Sequence, residues 1–134
     1  MHKKAFTIVE LAVVITVIGI LVSASYYGFY TWRDRVAQSE VKSDLNGVYA
    51  AMESARNWSK SYPDTLTDGV LFNGNSETKD IFTQSPNVTL TYRYGDGTSY
   101  CIDGVSKARP SVTYKITIPP VGTSAVEPVA GQCS

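Results

Sequence analysis

Residues 3–32 read KKAFTIVELAVVITVIGILVSASYYGFYTW, and this stretch decides the fold of the chain. Between residues 6 and 32 there is no proline and a single formal charge, the carboxylate of Glu10. A helix needs about 20 mostly apolar residues to cross a bilayer. Because a lone strand in lipid leaves its backbone groups unpaired, this run is predicted to be helical despite its many β-branched residues.

Aromatic residues crowd the far end of this run, and charged residues follow at once. The aromatic side chains are those of Tyr26, Tyr27, Phe29, Tyr30 and Trp32. This order is typical of an aromatic belt at the boundary between lipid and water. Lysines before the run and arginines after it nearly balance, so the positive-inside bias does not by itself orient the segment.

Glu10 is the unusual residue of the apolar run. A carboxylate at the centre of a membrane helix costs on the order of 2.5 to 3.5 kcal/mol, and such residues are often paired or functional. Alternatively, Glu10 lies near the headgroups and reaches them at little cost. Its position alone leaves both interpretations open.

The residues around Glu10 form a recognisable pattern. A short basic leader and a small residue precede Phe-Thr-x-x-Glu-Leu, which opens the apolar helix. The matching residues are Lys3, Lys4, Ala5, Phe6, Thr7, Glu10, Leu11 and Gly19. This pattern resembles the type III signal of type IV pilins and related pseudopilins. Leaders in that family most often end in glycine, whereas this one ends in alanine.

The resemblance implies that residues 1–5 are a leader peptide. A prepilin peptidase would cut between Ala5 and Phe6, and the new amine of Phe6 would be methylated. Glu10 would then neutralise the N-terminal amine of a neighbouring subunit during assembly, so that a costly charge becomes a contact. An ordinary secretory signal peptide is the rival, and it predicts a mature chain that starts at Ser25.

Residues 33–62 are predicted to form an amphipathic helix. Apolar side chains recur at helical spacing, at Val41, Leu45, Val48, Met52 and Ala55. Nothing between residues 33 and 36 stops a helix, so one rod of roughly 80 Å is predicted from residue 6 to about 60. Many pilins have a proline in the second half of the membrane segment; here Gly28 is the residue that would weaken the helix.

The rest of the chain is predicted to form a small sheet. Residues 63–87, rich in turn-forming residues, are interpreted as a connecting loop. Residues 88–94 and 99–102 alternate as a hairpin, and residues 112–118 form a third strand within the region 88–134. The predicted fold class is α+β. A long N-terminal helix, half transmembrane and half amphipathic, packs under an antiparallel sheet of three to four strands.

Two cysteines occur, Cys101 and Cys133. They lack the close spacing of a zinc site or of a redox pair, which favours one disulfide in an oxidising compartment over two free thiols. That compartment places the C-terminal part outside the cytoplasmic membrane. A bridge here resembles the disulfide-bounded C-terminal loop of many pilins, and closing it is worth roughly 3 to 4 kcal/mol.

The composition excludes most other classes of function. The sole histidine, His2, lies in the leader, so a Ser-His-Asp or Cys-His system cannot be built and no enzyme is predicted. No metal site and no cofactor are expected. Twelve basic side chains balance twelve acidic ones, so the net charge does not indicate a nucleic-acid or membrane-surface partner.

A surface for single-stranded nucleic acid is one interpretation of the predicted strands. Tyrosines alternate with basic residues on the predicted strands, at Tyr92, Tyr94, Tyr100, Tyr114, Arg93 and Lys115. Such a pattern stacks single-stranded nucleic acid in some proteins, but half-buried sheet faces produce it too.

The resemblance therefore implies a structural subunit. It would be stored in the cytoplasmic membrane as a single-pass protein and would polymerise through its N-terminal helix into an extracellular pilus for adhesion, twitching motility or DNA uptake. Implied partners are other pilin subunits, the prepilin peptidase, the pilus assembly machinery and the membrane. The alternatives are a minor pilin or pseudopilin that binds DNA or a surface, at a filament tip or in a secretion or competence system, and a non-polymerising anchored or secreted domain.

Overall fold

One helix runs through the first half of the chain. The computed structural model describes residues 6–67, 70–73, 76–119 and 126–134, with the backbone alone for the described residues between 67 and 81. Helix α1 spans Ile8–Ser59, so the predicted continuity across residues 33–36 is confirmed. The predicted leader, with Ala5, lies outside the described residues. The chain divides into two compact units, Met1–Arg35 and Val36–Ser134.

The end of α1 is fixed by several local contacts. Lys60 has a φ of 67°, the left-handed conformation that commonly follows a helix, and its amide donates to the Arg56 carbonyl at 2.8 Å. The buried Tyr62 hydroxyl donates to Glu53 Oε1 at 2.5 Å and accepts from Arg56 Nη1 at 3.0 Å. Burial, and next the hydrogen bond to Glu53, raise the pKa of Tyr62 to about 12.

The segment interpreted as a loop contains a three-stranded antiparallel sheet, so that prediction was incomplete. Its strands are β1 (Thr65–Thr67), β2 (Val70–Asn73) and β3 (Ser76–Ile81), in the order β1-β2-β3. The strands are three to six residues long. β1 and β3 are rich in polar residues and β2 is a short apolar run, so none shows a sustained apolar alternation. The dipeptide Asp68-Gly69 between the first two is a hairpin signal that the composition of the stretch obscured.

A second sheet has four antiparallel strands. They are β4 (Val88–Gly95), β5 (Tyr100–Ser106), β6 (Thr113–Ile118) and β7 (Val129–Ala130), in the order β4-β5-β6-β7. With the long helix, this sheet confirms the predicted α+β class. The short β7 pairs with β6, so the tail with no periodic pattern contributes a strand through pairing that is not local.

Strand β5 extends four residues beyond its predicted end at Ile102. Asp103 and Gly104, which lay beyond the predicted strand, are both buried within it. Asp103 is paired with Arg93 at 2.7 Å, which offsets the cost of burying a carboxylate. A Cβ on Gly104 would lie 2.9 Å from Val41 Cγ1, so the missing side chain lets the strand approach the helix closely.

The core of the second unit lies between α1 and the inner face of this sheet. Val41, Leu45, Val48 and Met52 of the predicted stripe have no exposed surface, and Ala55 is 3% exposed. The sheet and its flanks add Tyr62, Val88, Tyr100, Ile102, Val112 and Ile116 to the same cluster. The predicted apolar stripe is therefore confirmed as the face that the sheet covers.

The tyrosines of the sheet mostly serve this core. Tyr100 is fully buried, and burial strongly raises its pKa. The Tyr92 hydroxyl donates to the Pro63 carbonyl at 3.0 Å, and Lys42 Nζ lies 4.8 Å from the Tyr114 ring centroid. Of the four tyrosines, Tyr94 alone is exposed. This placement matches half-buried sheet faces rather than a stacking surface for nucleic acid.

Replacing Gly104 by alanine should destabilise the second unit by about 1 to 3 kcal/mol, because the new methyl group would overlap Val41 and press on Leu45. Chemical denaturation, followed by the circular dichroism of the sheet and by tyrosine fluorescence, would measure the loss in the free energy of unfolding. The control is Ser106→Ala in the same strand. The Ser106 hydroxyl is buried, and no described residue bonds to it, so its removal should be neutral or stabilising. Equal losses in both variants would contradict the packing argument.

Candidate functional site

The start of α1 is closed by a reciprocal pair of side chains. The Thr7 hydroxyl accepts from the Glu10 amide at 3.2 Å, and Glu10 Oε2 accepts from the Thr7 amide at 3.1 Å. The Thr7 hydroxyl also donates to Glu10 Oε2 at 2.9 Å. This arrangement is a capping box, in which side chains three residues apart satisfy amides that the first helical turn leaves unpaired. The Glu10 side chain is thus held in place by its own helix.

Only one oxygen of the Glu10 carboxylate is engaged by this capping box. Within the described part of the chain, no group donates to Oε1 of Glu10. An ionised carboxylate has about four acceptor positions, so Oε1 can accept a further donor without breaking the capping box. The geometry therefore presents a negative charge in a fixed position, with capacity for one more partner.

The serine and threonine hydroxyls that follow Glu10 in the apolar segment are satisfied by the helix itself. Each donates to the carbonyl four residues earlier, at 2.8 to 3.3 Å: Thr16 to Ala12, Ser23 to Gly19, Ser25 to Leu21 and Thr31 to Tyr27. Such internal bonds let serine and threonine sit in an apolar environment at little cost. Glu10 differs from these hydroxyl groups in carrying a formal negative charge, for which the described residues supply no cation.

One face of the segment is made of small side chains. Ala12, Thr16, Gly19 and Ser23 fall within roughly 60° of one another around an α-helix. Nothing lies within 4 Å of a Cβ built on Gly19, so this face is open. Small residues at such spacing allow the backbones of two membrane helices to approach closely.

The far end of the segment carries exposed aromatic rings. Tyr26 and Tyr30 meet edge to face with centroids 4.7 Å apart, and their hydroxyls are 2.8 Å apart. The centroid of the Phe29 ring lies 6.1 Å from that of the Trp32 ring and 5.7 Å from the guanidinium carbon of Arg33. By length and composition α1 can cross a membrane. No residue in its most apolar stretch is buried against the rest of the molecule.

Two of the predicted site residues are brought together by the fold. Cys101 and Cys133 form a disulfide with their Cα atoms 6.1 Å apart. Asp103 lies beside them, with a carboxylate oxygen and both sulfur atoms within 4.8 Å of one another. The sulfurs are bonded to each other, so they are not thiolate ligands for a metal ion. Phe6, the predicted new N-terminus, is exposed just before the helix.

Two features were missed in the sequence. Thr7-x-x-Glu10 is the signature of a capping box, and that signal was available. The role of Asp103 had no local signal, because its partners Arg93 and Cys133 are 10 and 30 residues away.

This chain is similar to known proteins over its N-terminal segment and, in one case, over most of its length. Residues 1–26 match the model of the prokaryotic N-terminal methylation motif. The chain is 32% identical over 111 residues to the type IV narrow pilus major component PilA5 of Thermus thermophilus, covering 81% of this chain and 94% of that protein. It is 34% identical over 63 residues to the type IV major pilin protein PilA of Myxococcus xanthus. That match covers 47% of this chain and 29% of the Myxococcus protein.

Removing the Thr7 hydroxyl should fray the start of α1. Thr7→Val deletes the group that accepts from the Glu10 amide, and loss of such a cap costs about 1 kcal/mol. Exchange of the Glu10 amide with solvent, measured by nuclear magnetic resonance in detergent micelles, should therefore accelerate about fivefold. Thr7→Ser keeps the hydroxyl and should behave like the original chain. Unchanged exchange in Thr7→Val would show that the capping box does not hold the helix start.

Proposed function

This chain belongs to the type IV pilin family, and we propose that it is the structural subunit of a type IV pilus or related filament serving adhesion, motility or DNA uptake. The proposal rests above all on the N-terminal segment, where a methylation motif, an apolar helix and a precisely placed carboxylate coincide. Its partners would be other copies of the chain, the prepilin peptidase and the pilus assembly machinery.

Processing is proposed between Ala5 and Phe6, with methylation of the Phe6 amine. Phe6 and Thr7 precede the first helical residue, and Phe6 is exposed. A peptidase binds extended chain more readily than helix, so a cut before the helix start is compatible with this geometry. The capping box would still close α1 afterwards, because it uses only Thr7 and Glu10.

Glu10 is proposed to pair with the Phe6 amine of a neighbouring subunit. A lone carboxylate in an apolar surrounding is costly, and a cation beside it offsets that cost. Oε2 is held by Thr7, while Oε1 has no donor among the described residues. The contact would fix the register of two helices, because each amine meets a carboxylate at one defined height.

Contact along the small-residue face is proposed to add packing to this pairing. Association of helices in lipid relies on close packing, because lipid tails are as apolar as the side chains. Ala12, Thr16, Gly19 and Ser23 offer a face of low profile whose hydroxyls are already bonded. The same face would serve between helices in the polymer.

The proposed location changes with assembly. Before assembly the chain would cross the cytoplasmic membrane once, with the aromatic cluster at the outer boundary and the C-terminal unit outside. The disulfide favours this orientation, because such bonds persist in oxidising compartments. After assembly the chain would be part of an extracellular filament.

Two alternative functions make distinguishable predictions. A minor pilin with a binding role would be sparse in filaments and would carry its partner on the exterior of the sheet unit, where Tyr94 is exposed. A non-polymerising domain would be found in the membrane or medium, never in filaments. Quantifying the chain in purified filaments separates these functions from that of a major subunit.

The mature chain in filaments should begin at Phe6. Intact-mass measurement of purified filament protein should show loss of residues 1–5 and the added mass of one methyl group. Ala5→Gly, which restores the residue most common in family leaders, should be processed to the same N-terminus and serves as the positive control. A mature chain that starts at Ser25 would refute the proposed processing.

Glu10→Gln should nearly abolish filaments while leaving membrane insertion intact. Glutamine can still form the capping box but carries no charge, so this variant tests the charge alone. Leaving the partner amine unpaired in an apolar interface should reduce assembly by more than about a hundredfold, measured as sheared filament protein per cell. Membrane fractionation provides the insertion control, and Thr7→Val shows the effect of losing the capping box alone. Normal filaments from Glu10→Gln would refute the pairing role.

A further inference from the structure

A buried carboxylate lies at the middle of the four-stranded sheet. Asp103 is in β5, the second strand of the sheet order, and has no exposed surface. Its neighbours Ile102 and Gly104 face the helix, so the alternation of side chains places Asp103 on the opposite face, with Cys101. The core and the proposed assembly helix make no use of this residue.

The two oxygens of Asp103 have different partners. Oδ2 accepts from Arg93 Nε of the adjacent strand at 2.7 Å. Oδ1 accepts from the backbone amide of Cys133 at 2.6 Å, across 30 residues of sequence. Arg93 is half exposed and supplies the compensating charge, whereas the bond from Oδ1 fixes a point on the C-terminal tail.

The fixed point on the tail is the residue that carries the second sulfur. Only the Cα and Cβ atoms separate the Cys133 amide from its sulfur, so holding the amide leaves the thiol few positions to explore. Cys101 precedes Asp103 by two residues and lies on the same face of β5. Both sulfurs lie within 4.8 Å of an Asp103 oxygen. The amide of Gly131 donates independently to the Thr113 carbonyl at 3.0 Å, which aligns the tail beside β6.

We propose that Asp103 is a positioning residue for the formation of the Cys101–Cys133 disulfide. It captures the Cys133 amide while both thiols are still reduced, and thereby holds the second sulfur beside the first. The disulfide then fixes covalently the position of Cys133 that the hydrogen bond to Asp103 already favours.

The reaction itself is ordinary thiol–disulfide exchange with a small disulfide oxidant such as oxidised glutathione. The thiolate of one cysteine attacks the oxidant, forms a mixed disulfide and releases one glutathione thiolate. The thiolate of the other cysteine then attacks the protein sulfur of the mixed disulfide and releases the second. Two protein thiols become one disulfide, the oxidant becomes two thiols, and Asp103 accelerates the second step by proximity.

The deciding measurement compares chains with and without the Asp103 carboxylate when no disulfide can form. In full-length Cys101→Ser in detergent micelles the disulfide cannot form, yet the Cys133 amide should remain protected from solvent exchange. Protection should be on the order of tenfold or more relative to the double variant Cys101→Ser/Asp103→Ala, as expected for a hydrogen bond to a charged acceptor. The Ser106 amide, which donates to the Val112 carbonyl, reports whether the sheet is intact. A Cys133 amide that exchanges freely beside a protected Ser106 amide would overturn the proposal.

The rate of closure gives a second test. Reduced full-length protein is placed in a glutathione buffer, quenched at intervals by alkylation and weighed by mass spectrometry. Asp103→Ala should slow the intramolecular step on the order of tenfold. Arg93→Lys, which keeps a cation beside Oδ2 and leaves the bond from Oδ1 in place, should change it much less. Equal slowing in both variants would assign the effect to general stability and reject positioning by Asp103.

Discussion

Burial of a single helical stripe supports the whole second unit of this pilin. Val41, Leu45, Val48 and Met52 lose all contact with solvent beneath the sheet. Full burial of such a side chain contributes roughly 1.5 to 3 kcal/mol, and the contact is close because Gly104 presents no side chain to Val41 and Leu45. The apolar residues on the inner face of the sheet are buried in the same cluster as this stripe, so helix and sheet stabilise each other.

The two halves of α1 differ in which of their faces are apolar, although they share one continuous helix. From Val36 onward, one face is apolar and the remainder is polar, which suits a helix with a sheet on one side. Between Leu11 and Trp32 the helix has no formal charge, and its large apolar side chains are exposed. Such a surface needs lipid or other apolar helices around it. The hydroxyls bond to their own helix, so they suit either surrounding. Glu10 retains capacity for an external partner, which is why the proposed assembly depends on it.

The far face of the sheet has its own organisation. Cys101 and Asp103 share it, Arg93 compensates the buried charge, and the tail is attached through Cys133 and β7. This face is stabilised by polar contacts and a disulfide, whereas the face toward α1 is stabilised by apolar packing. A tail with no periodic pattern can be ordered in this way because a few specific contacts replace a core.

What the sequence alone determined is local. A long apolar run without proline, a stripe at helical spacing and alternating strands predicted α1, its buried face and three strands of the second sheet, because these signals depend on neighbours within a few residues. Thr7 and Glu10 are also local, and their capping box was readable. The strands β1, β2 and β3 pair with their neighbours in sequence, but they are short and show no sustained apolar alternation, so the local pattern did not separate them from a loop. The extension of β5 through Asp103 and Gly104 and the addition of β7 depended on partners far along the chain. Only the tertiary structure supplies those partners. A buried aspartate or a polar strand is stable where a distant group bonds to it, and spacing along the chain does not reveal that group.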